Sequence, residues 1–292
     1  MCTVTFIARK RGYALGMNRD EKLARPAGLP SRKKNLNGRQ VICPSEPGGG
    51  TWIALNDSGA TLALINWYAI TSRIRGQPIS RGDVVNAVSA AASPAFAATA
   101  LAGLSINRIN PFRLIGIFPA TSEVVEWRWD LKTLVRRNHR WKSQQWISSG
   151  FDEPAAQRVR GKTFHRAKQQ FTAGSLNWLR RLHRSHSPIL GPLSTCMHRE
   201  DAATVSYTEV TVSSNRATMR YHAGAPCQAR ECSFGADSKL NRQVCALSKS
   251  KFHSPKLGDL AKTPSTKQGS HIAPVTNRGF AHTAIRVGRI AV

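Results

Sequence analysis

Cys2 stands directly behind the initiator methionine, so removal of Met1 would leave a thiol and a free α-amine on one residue. That pair is a nucleophile with its own base. An α-amine titrates near about 7.7–8.0 and a cysteine thiol near about 8.5, so a proton can pass between them around neutral pH without a histidine. An amide nitrogen has no such basicity, which makes processing at Met1 the condition for this chemistry. Cys2 also has a plain packing use as a small apolar residue opening a strand, because unpaired Cys is among the most buried residue types. The second cluster able to do chemistry is Asn18-Arg19-Asp20-Glu21, at the end of the next apolar run.

The elements that must hold these residues can be read from the pattern around them. TVTFIA and YALGM flank the basic turn RKRG and predict a β-hairpin whose second strand ends in the Asn18–Glu21 cluster. Residues 25–50 are rich in Pro, Gly, Lys and Asn and read as a loop able to border a binding site, with RQVIC as one short strand inside it. TWIALNDSGATLALIN predicts a second hairpin around its N-D-S-G turn. Ser80 is placed to cap a helix with Asp83 in its first turn, and the Ala-rich run that follows is interrupted at Pro94, which predicts two consecutive helices.

FRLIGIFP and SEVVEWRWD read as strands, with Trp127 and Trp129 on one side and Glu126 and Arg128 on the other. A helix is expected over about 153–170, opened by Asp152, Glu153 and Pro154, and LNWLRRLHRSH reads as a short amphipathic helix. DAATVSYTEVTV and RATMRYHA around SSN make a further hairpin. The order of strands and helices predicts an α+β body of layered sheet and helix over residues 1–229. Residues 230–292 lose any sustained period in favour of Ser, Lys, Pro and Thr and read as a disordered, basic tail.

The 292 residues carry 43 Lys and Arg against 16 Asp and Glu, a formal charge of +27, and the excess is scattered through the body as well as the tail. Such a field favours anionic small molecules, acidic lipid surfaces or nucleic acid, and equally suits a solvated basic surface. No run of about 18 apolar residues predicts a membrane span. TVTFIA is too short for a signal-peptide core of roughly 7–15 residues and is followed by Arg9, Lys10 and Arg11, so the expected location is cytoplasmic. The six cysteines are sparse and irregular, and most are expected to be free thiols.

The segments MCTVTFIA, MNRDEKLARP, GGGTWIALNDSGATLALINW, the Ser-Ser-Gly before a proline-led helix, and CMHREDAATVSYTEV occur in an order that resembles the NRDE family, also called the transport and Golgi organisation family, over about residues 1–229. The family is related to the N-terminal-nucleophile hydrolases. The resemblance implies a four-layer αββα sandwich with the N-terminal residue at an opening between two antiparallel sheets. It also implies hydrolysis of a linear amide bond, as in cysteine hydrolases of the choloylglycine and penicillin V acylase type.

On that resemblance Cys2 matches the nucleophile and Asp20 the acid that orients it, while Asn66 is placed to donate its side-chain NH₂ to a developing oxyanion. Those relatives read Arg-Asn-x-Asp where this chain reads Asn18-Arg19-Asp20-Glu21. Strand alternation points Arg19 away from Asn18 and Asp20, so an ion-pair role for Arg19 stands beside a substrate-binding one. Asn18 and Arg199 are weaker candidates for binding or orienting substrate, and Ser148 or Ser149 occupies the segment nearest to a later Asn of the relatives.

A small-molecule substrate or ligand, anionic in keeping with the charge, is the expected partner, and a non-catalytic ligand-handling or trafficking role on the same fold is the rival. No cofactor or metal is expected. GGGTW lacks a following Lys-Ser/Thr and reads as a turn into a strand, while Cys196, His198, His222, Cys227 and Cys232 contain no C-x₂-C pair. Nucleic acid is an unlikely partner: RRNHRWKSQQW and LNWLRRLHRSH mix Arg with Trp but match no recognised module.

Overall fold

A computed structural model describes residues 2–229 and 238–241 of the chain. The β-branched and aromatic runs at the start pair as an antiparallel hairpin, β1 (Cys2–Arg9) and β2 (Gly12–Lys22), with Cys2 opposite Arg19 and Thr3 opposite Asn18. The stretch read as a loop is instead a hairpin of β3 (Leu29–Leu36) and β4 (Arg39–Ser45). Asn37 and Gly38 turn it with φ of 51° and 75°, the pair of positive values that an Asn-Gly turn supplies. Its first strand is hard to see because Arg32, Lys33 and Lys34 give an edge strand its charge in place of an apolar alternation, a device that keeps free edges from pairing.

β5 (Ile53–Asn56) and β6 (Thr61–Asn66) form the hairpin expected around N-D-S-G. Ser80 caps α1 (Arg81–Val88) by accepting from Gly82 N, and Ser93 caps α2 (Pro94–Ala102). Pro94 thus starts a helix, where its missing N–H costs nothing. Four strands follow: β7 (Phe112–Phe118), β8 (Glu123–Trp129), β9 (Leu134–His139) and β10 (Gln144–Ser148). Asp152 caps α3 (Glu153–Ala167), Ser175 caps α4 (Leu176–Arg184), and β11 (Ala202–Val212), β12 (Arg216–Ala223) and β13 (Ser238–Asn241) complete the described chain.

One sheet runs β10-β1-β2-β11-β12-β13 and the other β3-β4-β5-β6-β7-β8-β9, with neighbours antiparallel throughout. Between them lie Val4, Phe6, Leu15 and Met17 against Ile53, Leu55 and Ile115. Outside the second sheet, Val84, Val85 and Leu101 of the first two helices cover Leu62, Leu64 and Trp127. Outside the first, Phe164, Trp178 and Leu179 of the later two cover Ile7 and Ala14. The central strands of each sheet are covered on both faces, and the layers are the αββα sandwich expected. The expected Trp127/Glu126 alternation holds too: Trp127 meets the helices, while Glu126 is buried on the opposite face with Arg113 at 2.6 Å, Arg128 at 2.9 Å and His139 at 3.0 Å. Burial pushes that carboxyl up, but Arg113 and its partners bring it below its usual range on balance.

In the two Arg- and Trp-bearing segments, Trp146 and Trp178 are buried in these layers, while Trp141 is half-buried against Phe6 and Tyr13. β13 pairs with β12 in register Ala217↔Leu240 and buries Leu240 between the sheets, so the sheet continues past residue 229. The rest of the expected tail lies outside the described residues. Cys2, Cys43, Cys196 and Cys227 are free thiols, and among the described residues no helix is long and apolar enough to cross a membrane.

Candidate active site

Alternation along the first hairpin divides its polar residues between two environments. Val4 and Phe6 of β1 and Leu15 and Met17 of β2 point between the sheets, so Cys2 and Arg19, which continue those series, do the same. Asn18 and Asp20 take the other face, under α3 and α4. The expected separation of Arg19 from Asn18 and Asp20 is present, and it is Arg19 that shares a face with Cys2.

Cys2 lines a cleft of about 300 Å³ between the sheets, together with Arg19, Glu46, Trp52, Asn66 and Arg81. Asn66 ends β6 and reaches the cleft from the opposing sheet, its Nδ2 donating to the Tyr68 hydroxyl at 2.9 Å. Ser148 is the ladder partner of Cys2 on β10, and its buried Oγ finds no hydrogen-bond partner among the described residues. Burial pushes the Cys2 thiol up and the Asp20 charge adds to that, while Arg19 pulls it down without cancelling the rise.

Arg19 is only 4% exposed. Its guanidinium lies 4.4 Å from the centroid of the Trp52 ring and 2.6 Å from Glu46 Oε1. Arg25 reaches Glu21 and Glu46, each at 3.1 Å, so two arginines and two glutamates interlock at the cleft. Arg81 lines the same cleft and has no carboxylate within ion-pair distance among the described residues. It also occupies the first turn of a helix, where the helix dipole disfavours a cation. In the sequence it is hidden between the Ser80 cap and Asp83 of the same turn, and only its place in the cleft singles it out.

Behind the sheet, Asp20 accepts from Thr204 Oγ1 at 2.7 Å and from Arg160 Nη1 at 3.2 Å, and the same Arg160 nitrogen donates to Thr3 Oγ1 at 2.7 Å. Arg160 is fully buried on α3, in line with Ala156 and Phe164 on the face turned to the sheet. Asn18 does not face the cleft. Its Nδ2 donates to the carbonyls of His183 and Thr195 at 2.9 and 2.8 Å, its Oδ1 lies 3.0 Å from His183 Nδ1, and His183 Nε2 lies 3.0 Å from Thr5 Oγ1. Burial, with Arg160 nearby, lowers the His183 pKa to about 3, so the ring is neutral and structural. Arg199 pairs with Asp201 at 2.6 Å, lies over the Phe151 ring, and is not among the residues lining the cleft. Alternation thus withdraws Asn18 and the Asp20 carboxylate to the helix side and Arg199 stands apart, so that of the expected residues Cys2, Arg19 and Asn66 line the cleft together with Asp20, whose carboxylate is held behind the sheet.

The family described as Transport and Golgi organisation 2 matches residues 1–161. No curated protein matches the chain. Among solved structures, the mutant C2A conjugated bile acid hydrolase from Clostridium perfringens is similar with a TM-score of 0.50 and 10% identity, over 82% of this chain and 92% of that one. Penicillin V acylase from Agrobacterium tumefaciens is similar with a TM-score of 0.46 and 10% identity, over 76% and 83%. The fold is of the N-terminal-nucleophile hydrolase type.

Proposed function

Because the chain belongs to the Transport and Golgi organisation 2 family, with an N-terminal-nucleophile hydrolase fold, we propose that it hydrolyses a linear carbon–nitrogen amide bond through Cys2 once Met1 is removed. The observation that carries this reading is that Cys2 and Asn66, on opposing sheets, line one cleft of about 300 Å³, at the lower end of the size range of small-molecule sites.

In the first half-reaction the Cys2 thiol gives its proton to its own α-amine and the sulfur attacks the carbonyl carbon. The carbonyl oxygen becomes an oxyanion, stabilised by Asn66 Nδ2 turned from Tyr68 and by the Ser148 hydroxyl. Collapse breaks the C–N bond, the α-ammonium returns the proton to the leaving nitrogen, and a thioester remains on Cys2. Water, deprotonated by the same amine, then releases the carboxylic acid and restores the thiol. Asp20 acts from the rear as a positioning residue, tying the ends of both strands through Arg160, Thr3 and Thr204. A free α-ammonium on Cys2 would offset part of the burial that raises the thiol. Arg81 supplies the cation for an anionic substrate group, with Trp52, Leu64 and Ile79 as apolar walls.

A ligand-handling role without turnover is the second reading, favoured by the raised Cys2 thiol and by the bond that holds Asn66 on Tyr68. A panel of small N-acylated amines bearing a carboxylate separates the two. Turnover that disappears in Cys2→Ser while the folded state persists supports the hydrolase. Saturable binding without turnover in native and Cys2→Ser protein alike supports the carrier, and hydrolysis undiminished in Cys2→Ser assigns the activity elsewhere.

A further inference from the structure

Four side chains able to bind a metal converge at a place that no step of the proposed hydrolysis uses. His186 follows the end of α4, Cys196 and His198 lie in the segment leading into β11, and Cys227 sits in the short turn Pro226–Gln228 after β12. One ligand atom from each lies within 4.8 Å of all the others. His198 Nε2 is 3.6 Å from Cys196 Sγ and 3.4 Å from Cys227 Sγ. With Zn–S of about 2.3 Å and Zn–N of about 2.0–2.1 Å, a tetrahedron places its sulfur and nitrogen corners about 3.5 Å apart. The spacing is that of a coordination shell. Independently, His186 Nε2 is buried and has no hydrogen-bond partner among the described residues. A ring nitrogen withdrawn from water without a partner is destabilising, a penalty that a bound cation would remove.

We propose that His186, Cys196, His198 and Cys227 form a closed Cys₂His₂ site for a structural Zn²⁺. Two thiolates neutralise the dication, two neutral imidazoles complete the tetrahedron, and this donor set suits zinc better than harder cations such as Mg²⁺ or Ca²⁺. Four protein ligands leave no position for water or substrate, so the ion is a staple. It joins the exit of α4, the segment before β11 and the turn after β12, which Arg184 already bridges by donating to Pro226 O at 3.0 Å and Ala229 O at 2.6 Å. The same segment supports Asp20 from behind: Met197 N donates to Thr204 Oγ1 at 2.8 Å, and Thr204 Oγ1 donates to Asp20. The ligands are spread from residue 186 to 227 without a C-x₂-C pair, so the fold collects what local spacing does not announce. His222 is on β12 and not in the cluster, and Cys232 lies outside the described residues.

Elemental analysis of the full-length chain, purified under reductant and without chelator, tests the site. About one zinc per chain is expected, lost in Cys227→Ser and retained in Cys43→Ser. If Cys227→Ser fails to fold, the native chain decides: replacement by Co²⁺ should give the intense visible bands of a tetrahedral thiolate site. Less than about a tenth of an equivalent of zinc, before and after incubation with Zn²⁺, overturns the proposal whether the two cysteines are free or joined as a disulfide. A weak octahedral cobalt spectrum, or full zinc retention in a folded Cys227→Ser variant, overturns it as well.

Discussion

The two faces of the first hairpin use polar side chains in opposite ways. On the helix side, Thr3, Thr5, Asn18 and Asp20 meet Arg160, His183 and Thr204 in direct hydrogen bonds, and all seven are buried. On the side between the sheets, Ser148 opposite Cys2 keeps a hydroxyl without a partner among the described residues, and Asn66 in the cleft spends a donor on a neighbouring tyrosine hydroxyl. Residues one position apart on a single strand therefore enter different environments, Asn18 and Asp20 the helix side and Arg19 the cleft. What assigns each role is the strand's two-residue alternation, since an Asn or Asp in the Asn18–Glu21 cluster is equally suited to either task.

The contrast breaks most readily on the helix side. Arg160→Met leaves Asp20 buried without its guanidinium and is expected to cost about 3–5 kcal/mol, read as a lower urea midpoint at unchanged slope. A loss under about 1 kcal/mol would remove the scaffold role of that face. Asn66→Ala is the mirror experiment: turnover should fall about 10²–10³-fold with little movement of the unfolding midpoint. Equal activity would leave the oxyanion to other donors.

The next effect is a pH dependence. His183 has its folded pKa lowered to about 3 from an ordinary 6.5, so on acidification the unfolded chain takes up this proton first. The contribution is complete above pH 6.5 and declines as pH falls toward about 3, by about 1.4 kcal/mol per unit below the unfolded pKa. Denaturation measured between pH 6.5 and 5 should show this slope, and His183→Gln should flatten it. An unchanged slope in the variant would place the titration elsewhere. Arg81→Ala is the smallest of the four, with KM for a carboxylate-bearing substrate raised about tenfold, worth about 1.4 kcal/mol, and no change in the thermal transition. A KM unaffected by the change would mean that substrate charge is read by another group.

Much of the scaffold is legible in the sequence because its signals are local. The N-D-S-G turn, the Ser80 cap, and the acid-then-proline start of α3 each satisfy a backbone requirement within four residues. β3 and β9 are not, because their exposed Arg and Lys residues answer to solvent and edge protection and so carry no period. At the site, the position of Cys2 announces itself. Arg160 does not, although an arginine aligned with Ala156 and Phe164 on an amphipathic helix hints at a buried partner 140 residues away. The facing of the Asn18–Glu21 cluster depends on which side of the sheet holds the second sheet, information carried by long-range packing alone.

Hydrolysis through Cys2 requires a free α-amine there, and intact mass spectrometry of the full-length protein tests this most directly. After brief exposure to an N-acylated amine substrate, the chain should be lighter by one methionine residue, with a transient acyl increment that maps to Cys2 and is absent from Cys2→Ser. A chain that retains Met1 throughout would contradict it.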